Sequence, residues 1–348
     1  MDTKTIYIGE SNTILEAMQL LDKNTKRILF VHNNGILLAS VTDGDIRRWI
    51  LKYGDLQAEV RNVANYEPKY LYEGQADLAL SIMKEYGIDA IPIVDTGHVI
   101  KEVIFLNSSE QKQAKFDIDI PVVMMAGGLG ARLSPYTNIL PKPLIPIGDY
   151  PIAEHIIKRF CTYGCRQFYM IVNYKRNMIK AYFDELEKDY DLKFVVETKP
   201  LGTGGGISLL KGQIQETFIL TNCDILIDDD LTKAYKQHIE SGNLITMICS
   251  LKNFSIPYGV VHIGEDGTIE SMQEKPQMSF FTNTGCYFVE SEVVEGLVYN
   301  EPIDFPAIIE KILEERKRVG VYPISEEAWL DMGQLDELEK MKKRLGCQ

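Results

Sequence analysis

Between residues 121 and 251, short apolar runs alternate with amphipathic stretches: PVVMMA, AEHIIKRFCTYG, QFYMIVNY, MIKAYFDELEKDY, LKFVVE, GGGISLLKG, TFILTNCD, LTKAYKQHIESG and LITMICSL. Runs this apolar and β-rich predict strands buried on both faces, and the helical periodicity between them predicts helices that cover those faces. The fold class that follows is α/β, a mostly parallel sheet layered between helices. Ligands of open sheets of this kind bind beyond the carboxyl ends of the strands. The residues that follow each apolar run are therefore the first candidates for chemistry.

The first run ends in AGGLGARLSPYTNILPKP, residues 126–143. Ala126 leads into Gly127, Gly128 and Gly130, whose bare backbone lets N–H groups approach an anion closely. The spacing is not the dinucleotide fingerprint, because Leu133 stands where a third glycine belongs, and no GK[ST] follows to make a P-loop. Arg132 adds a planar fork of donors, and Pro141 and Pro143 stiffen the backbone around Lys142. Asp224 closes TFILTNCD, and Asp331 in WLDMG follows a later apolar stretch able to return to the same edge. A Mg²⁺ ion on nucleotide phosphates takes only one or two protein carboxylates, so this pair suffices. The alternative for both aspartates is local backbone capping.

GGLGARLSPYT together with PKP resembles the signature of sugar-1-phosphate nucleotidyltransferases. LGTGGGI, NCD, PYGVV, EKP, NTGCYF and WLDMG follow in that family's order over roughly residues 120–340. The resemblance implies a Rossmann-like, GT-A-like mixed-sheet domain at 119–348, which joins a nucleoside triphosphate to a sugar 1-phosphate and releases pyrophosphate. It implies that Arg132 and the loop amides hold the β- and γ-phosphates, with Lys142 near the α-phosphate and Mg²⁺ on Asp224 and Asp331. Lys275 would take the sugar phosphate. Glu197, Gly259, Glu274 and Asn283 would surround sugar hydroxyls, and the backbone of Leu201, Gly202 and Gly204 would read the base. A sugar phosphate is already largely dianionic at neutral pH, so no general base is needed. Two departures stand out: Ala131 where Thr or Ser is usual, and Cys223 where Gly is usual.

The first third of the chain repeats itself with an offset of about 62 residues. NTILEAMQLLDKNTKRILFV falls on QADLALSIMKEYGIDAIPIV, with matching helical apolar positions followed by a β-rich run. Residues 1–112 thus read as two halves of a pseudo-symmetric pair, followed by a polar linker at 110–119. VTDGDIRR resembles the turn of a tandem CBS-domain pair. That resemblance implies an adenine nucleotide whose ribose hydroxyls meet Thr42 and Asp45; the alternative is a helix cap. The second copy has Ile104 and Asn107 at these positions, so two equivalent sites are not expected. CBS pairs often associate face to face, which implies a homo-oligomer. A CBS pair in front of this transferase resembles the guanylyltransferases of bacterial legionaminic acid synthesis, implying GTP and glucosamine 1-phosphate. A uridylyl-, thymidylyl- or cytidylyltransferase on another sugar phosphate, and a nucleotide-sensing regulator without catalysis, stay open.

Charge narrows the partners. With 37 Lys and Arg against 50 Asp and Glu, a net charge of −13 repels nucleic acid and anionic membranes. An anionic substrate must therefore be held by a local cationic cluster. No apolar stretch is long enough for a membrane helix and the first residues lack a signal-peptide core, so a cytoplasmic protein is expected. The 6 cysteines form no metal-type spacing and read as reduced, mostly buried thiols.

Overall fold

The computed structural model describes residues 6–24, 27–106, 118–264, 266–333 and 335–344. Most of the polar linker, residues 110–117, and Asn107 lie outside them. The chain divides into two compact units, Met1–Lys115 and Phe116–Gln348.

The first unit contains β1 (Tyr7–Ile8), α1 (Ile14–Asn24), β2 (Ile28–Asn33), β3 (Ile36–Thr42), α2 (Asp43–Tyr53), β4 (Leu71–Tyr72), α3 (Ala79–Tyr86), β5 (Ala90–Val94) and β6 (Ile100–Phe105). The internal repeat reappears as two three-stranded sheets of the same order, β1-β2-β3 and β4-β5-β6. In each, the first pairing is parallel and the second antiparallel. Phe30 and Leu37 of one half share a small core with Ala90 and Val94 of the other. The halves differ at their helix starts. Thr13 and Glu16 open α1 with reciprocal side-chain-to-backbone bonds, and Thr42 and Asp45 do the same for α2. No side chain caps α3.

The second unit contains β7 (Val122–Ala126), α4 (Tyr136–Ile139), β8 (Pro146–Ile147), β9 (Tyr150–Pro151), α5 (Ile152–Cys161), β10 (Gln167–Val172), α6 (Arg176–Asp184), β11 (Asp191–Val196), α7 (Gly202–Gly205) and β12 (Phe218–Asn222). It continues with β13 (Ile225–Ile227), α8 (Leu231–Ser241), β14 (Ile245–Ser255), β15 (Val260–Ile263), β16 (Ile269–Gln273), β17 (Gln277–Val289), α9 (Ser291–Gly296), α10 (Phe305–Glu314), β18 (Val319–Ile324), β19 (Trp329–Asp331) and α11 (Leu335–Arg344). Its sheet has the order β11-β10-β7-β12-β17-β14-β18.

Alternation along β7 explains why the apolar run is unbroken. Val122, Met124 and Ala126 face a core shared with α5, α6, α8 and α11, while Val123 faces a second core shared with α9 and α10. Each fully buried Val, Ile or Phe in these layers contributes about 1.5–3 kcal/mol relative to exposure. The sheet is mixed: β17 runs antiparallel to both neighbours, β12 and β14. The β15–β16 hairpin lies between β14 and β17 in the chain.

Register positions the site. Val196 pairs with Val172, Val172 with Ala126, and Asn222 with Met125. The carboxyl ends of β11, β10, β7 and β12 therefore align, and the chain leaves that edge at Glu197, Asn173, Gly127 and Cys223.

Candidate active site

The glycine loop leaves β7 at this edge, and its three glycines answer to different demands. A methyl group on Gly127 would lie 2.6 Å from Glu197 Oε2. At Gly130, φ is +67°, and a methyl group would lie 2.7 Å from Thr137 Cγ2 and 3.2 Å from Lys142 Cβ. Gly128 alone of the three faces open space, and a methyl group there would meet nothing within 4 Å. Packing thus excludes a side chain at two of the three positions and leaves room for one at the third. Leu133 is buried beneath the loop, whereas Arg132 is exposed.

Lys142 lies in a single 3₁₀ turn, Lys142–Leu144, with Pro141 extended before it. Its ammonium is ion-paired with Asp224 Oδ2, the two side chains being 16 % and 8 % exposed. Asp224 sits in the turn between β12 and β13. Strand β13 pairs antiparallel with β19, setting Ile225 opposite Asp331, and the Met332 N–H donates to the Asp224 carbonyl at 2.9 Å. This pairing brings the second carboxylate beside the first. Burial, and then the Asp224 charge, push the Asp331 carboxyl above its ordinary range; Lys142, the Gly333 N–H and Arg132 oppose the shift. Loop, Arg132, Lys142, Asp224 and Asp331 thus meet at one place.

Glu197 follows β11 and is buried between two glycines, its Oε2 against Gly127 and its Oε1 2.6 Å from a methyl group built on Gly206. Burial raises its carboxyl above the usual range, against a hydrogen bond from Asn173. Leu201, Gly202 and Gly204 pack against a neighbouring segment. Ile303 N–H donates to the Leu201 carbonyl at 3.0 Å, and Gly204 N–H to the Ile303 carbonyl at 3.0 Å. A methyl group on Gly202 would lie 2.9 Å from Ile303 O, and one on Gly204 2.9 Å from Phe305 N. The glycines of this turn serve close backbone packing.

Gly259, Glu274 and Lys275 meet on the exposed arm built from β15 and β16. A methyl group on Gly259 would lie 3.0 Å from Glu274 Oε2, and Lys275 N–H donates to Tyr258 O at 3.3 Å. Asn283 lies within β17, where its amide donates to Tyr287 Oη at 2.6 Å and its Oδ1 accepts from Gly285 N–H at 2.9 Å.

Comparison with known proteins decides the family. The nucleotidyl transferase family model matches residues 121–346. This chain belongs to the nucleotidyl transferase family. The CBS-domain model matches residues 1–52, which is the first copy of the repeat. The chain is 30% identical over 208 residues to bifunctional protein GlmU of Methanococcus maripaludis, a match covering 57% of this chain and 48% of that protein. It therefore spans about half the length of these curated relatives. It is also 30% identical over 227 residues to the D-glycero-alpha-D-manno-heptose 1-phosphate guanylyltransferase of Aneurinibacillus thermoaerophilus, covering 64% of this chain and 97% of that one. The crystal structure of HddC from Yersinia pseudotuberculosis shares the fold, with TM-score 0.52, 22% identity, and coverage of 65% and 99% of the two chains.

Within the nucleotidyl transferase unit, one departure from the family signature is absorbed by packing. Cys223 is buried in the core under β7, where burial pushes its thiol up to about 12. Ala131 is exposed at the start of the 3₁₀ turn that carries Arg132. The motif-based reading missed Thr137, Asn173 and Lys175, all of which contact the loop, Glu197 or α4. Asn173 and Lys175 follow β10, so their place just beyond a strand's carboxyl end was the available signal.

In the N-terminal unit, Thr42 and Asp45 form a helix cap. Asp45 Oδ2 accepts from Thr42 N–H at 2.8 Å and from Thr42 Oγ1 at 2.6 Å, while Asp45 Oδ1 is ion-paired with Arg48. In the second copy Ile104 pairs with Ile91 in the β5–β6 ladder. No helix among the described residues is long and apolar enough to cross a membrane.

Proposed function

We propose that this chain transfers a nucleoside monophosphate from a nucleoside triphosphate, GTP in first place, to a sugar 1-phosphate, releasing pyrophosphate. The observation that carries the reading is the meeting of an open glycine backbone, Arg132, Lys142 and two carboxylates at one sheet edge. In a chain of net charge −13, this cluster supplies the cations a triphosphate needs. Arg132 and the Gly128 backbone would hold the β- and γ-phosphates, and Lys142 would leave Asp224 for the α-phosphate. Lys275, with Glu274, Gly259 and Asn283, would receive the sugar phosphate and its hydroxyls. The acceptor oxygen attacks the α-phosphorus, its new P–O bond replacing the bond to pyrophosphate, so the chain's task is positioning and charge neutralisation.

Two neighbouring carboxylates, with only oxygen donors, suit a hard divalent cation shared with phosphates. Asp224 and Asp331 would hold Mg²⁺, which when bound supplies further neutralisation of phosphate charge.

Glu197 supports the choice of GTP. Its carboxylate lies against the nucleotide loop at Gly127 rather than on the arm with Lys275, so we assign it to the base and not to sugar hydroxyls. A guanine edge offers two adjacent donors, the ring N–H and the amino group, and a carboxylate accepts both. Uracil and thymine offer one donor flanked by carbonyls, which a carboxylate repels. For the acceptor we propose glucosamine 1-phosphate, in a route such as legionaminic acid synthesis, on the strength of the CBS-plus-transferase architecture. We also propose one adenine nucleotide per chain at Thr42 and Asp45.

A pyrophosphate-release assay with GTP, ATP, UTP, CTP and dTTP against glucosamine, mannose and heptose 1-phosphates tests the reading. GTP with an amino-sugar phosphate is expected to lead. Silence with every pair would return the chain to a nucleotide-sensing role. Glu197→Gln, which trades one acceptor for a donor, should lower kcat/KM for GTP at least about tenfold and raise the UTP-to-GTP ratio. An unchanged ratio would remove Glu197 from the base.

A further inference from the structure

We infer that Lys175 is a positioning residue for the triphosphate: it fixes the segment that holds the glycine loop and Arg132 in place. The inference rests on the transferase reading for its kinetic consequence, not for its geometry. Lys175 directly follows Asn173 and Tyr174 at the end of β10, with φ at +49°. Its ammonium donates to three successive carbonyls, those of Thr137 at 3.2 Å, Asn138 at 2.7 Å and Ile139 at 2.7 Å. An ammonium has three donors, and all three are engaged.

A lysine on a surface loop ordinarily keeps its head in water, where long methylene torsions cost entropy to order. Here the side chain is half-buried, and the carbonyls it gathers end α4. These groups lack helical partners, and a cation at a helix carboxyl end is favourable. Tyr174 Oη adds a longer contact to Thr137 O at 3.4 Å.

What α4 does next gives the arrangement its function. Thr137 Oγ1 donates to the Gly130 carbonyl at 3.0 Å, and its methyl group fills the space a side chain on Gly130 would need. Gly130 is the residue from which the turn bearing Arg132 begins. Lys175 thus holds α4, α4 holds Gly130, and Gly130 sets where the loop N–H groups and Arg132 point. Asn173, in the same three-residue loop, lies with Glu197 against Gly127. The loop therefore braces the phosphate side and the proposed base side together, and among the described residues the side-chain hydrogen bonds of Tyr174 and Lys175 run to residues 137–139 and not to the sugar-phosphate arm.

The test uses the full chain and two readouts. In Lys175→Met, which keeps the stem and removes the donors, amide hydrogen exchange across residues 127–139 of the ligand-free protein should quicken. The KM for GTP should rise at least about tenfold, with kcat and the KM for the sugar phosphate within about threefold. Lys175→Arg should recover part of the loss, because it restores charge and donors in a different geometry. Unchanged exchange at 127–139 would overturn the inference, whatever the activity. Equal rises in both KM values with a lowered melting temperature would overturn it too, leaving Lys175 a general fold contact. Quickened exchange in a chain that releases no pyrophosphate with any triphosphate would support the bracing and overturn the transferase reading instead.

Discussion

Replacing Lys142 by Met tests the central ion pair through stability, without reference to turnover. Removing one member of a fully buried pair costs about 3–5 kcal/mol, because the other charge is left without compensation. Lys142 and Asp224 are 16 % and 8 % exposed, which places the pair at the lower end, about 3 kcal/mol. The neighbouring Asp331 works in the same direction, since two carboxylates then face each other without the nearest cation. For a unit the size of Phe116–Gln348, each kcal/mol shifts the melting temperature by about 2–4 °C, so Lys142→Met should melt about 6–12 °C lower. Calorimetry in metal-free buffer measures it. The double variant with Asp224→Asn should regain most of the loss, because the stranded charge is gone. A single variant melting within about 2 °C of the wild type, or a double variant less stable than the single, would refute the argument.

Two further outcomes rest on the burial of Asp331 and on the cap at Asp45. Asp331 titrates above its unfolded value, so its buried charge costs stability above the folded value and nothing below the unfolded one, about 3.9. Asp331→Asn should therefore melt above the wild type at neutral pH, with the gap closing as pH falls through the carboxylate range, while turnover is lost; a gap independent of pH would contradict the burial argument. In the N-terminal unit, AMP titrated into the full chain should bind at no more than one per chain and not at all to Asp45→Ala. Stoichiometry near two would contradict the reading of the second copy, and no binding at millimolar AMP would leave Thr42 and Asp45 as a cap alone.

The layered sheet was legible because burial on both faces writes itself as an unbroken apolar run, as in Val122–Ala126 and Phe168–Val172. The direction of β17 was not, since a strand's residues are the same whichever way it runs. Its antiparallel course belongs to the chain's passage through the β15–β16 hairpin, a connection that leaves no trace within NTGCYF itself. The repeat in the first unit was legible from helical apolar positions, and the loss of the capping pair in its second copy from Ile104. The cap at Thr42 and Asp45 was one of the two readings the sequence offered, whereas the Arg48 ion pair that occupies the second Asp45 oxygen was not read.

The site divides along the same line. Motif order set Asp224 and Asp331 in one place, yet only the β13–β19 pairing explains how residues so far apart in the chain meet. Glycine proved the least decisive signal. Sequence reads every bare backbone as available to a ligand, but absence of a side chain is demanded equally wherever another segment packs close. Gly204 is bare because Phe305 lies against it and Gly127 because Glu197 does, whereas Gly128 opens outward. Three glycines in one loop therefore need not be bare for the same reason. Lysines differ in how visible they are. Lys142 announces itself by its two prolines, while nothing in the polar stretch around Lys175 marks it. Its three carbonyl partners lie at residues 137–139, and backbone carbonyls carry no sequence signal. A residue that acts by holding backbone is invisible to any motif, so the braces of a site such as this must be found from coordinates even where its charges can be read from the chain.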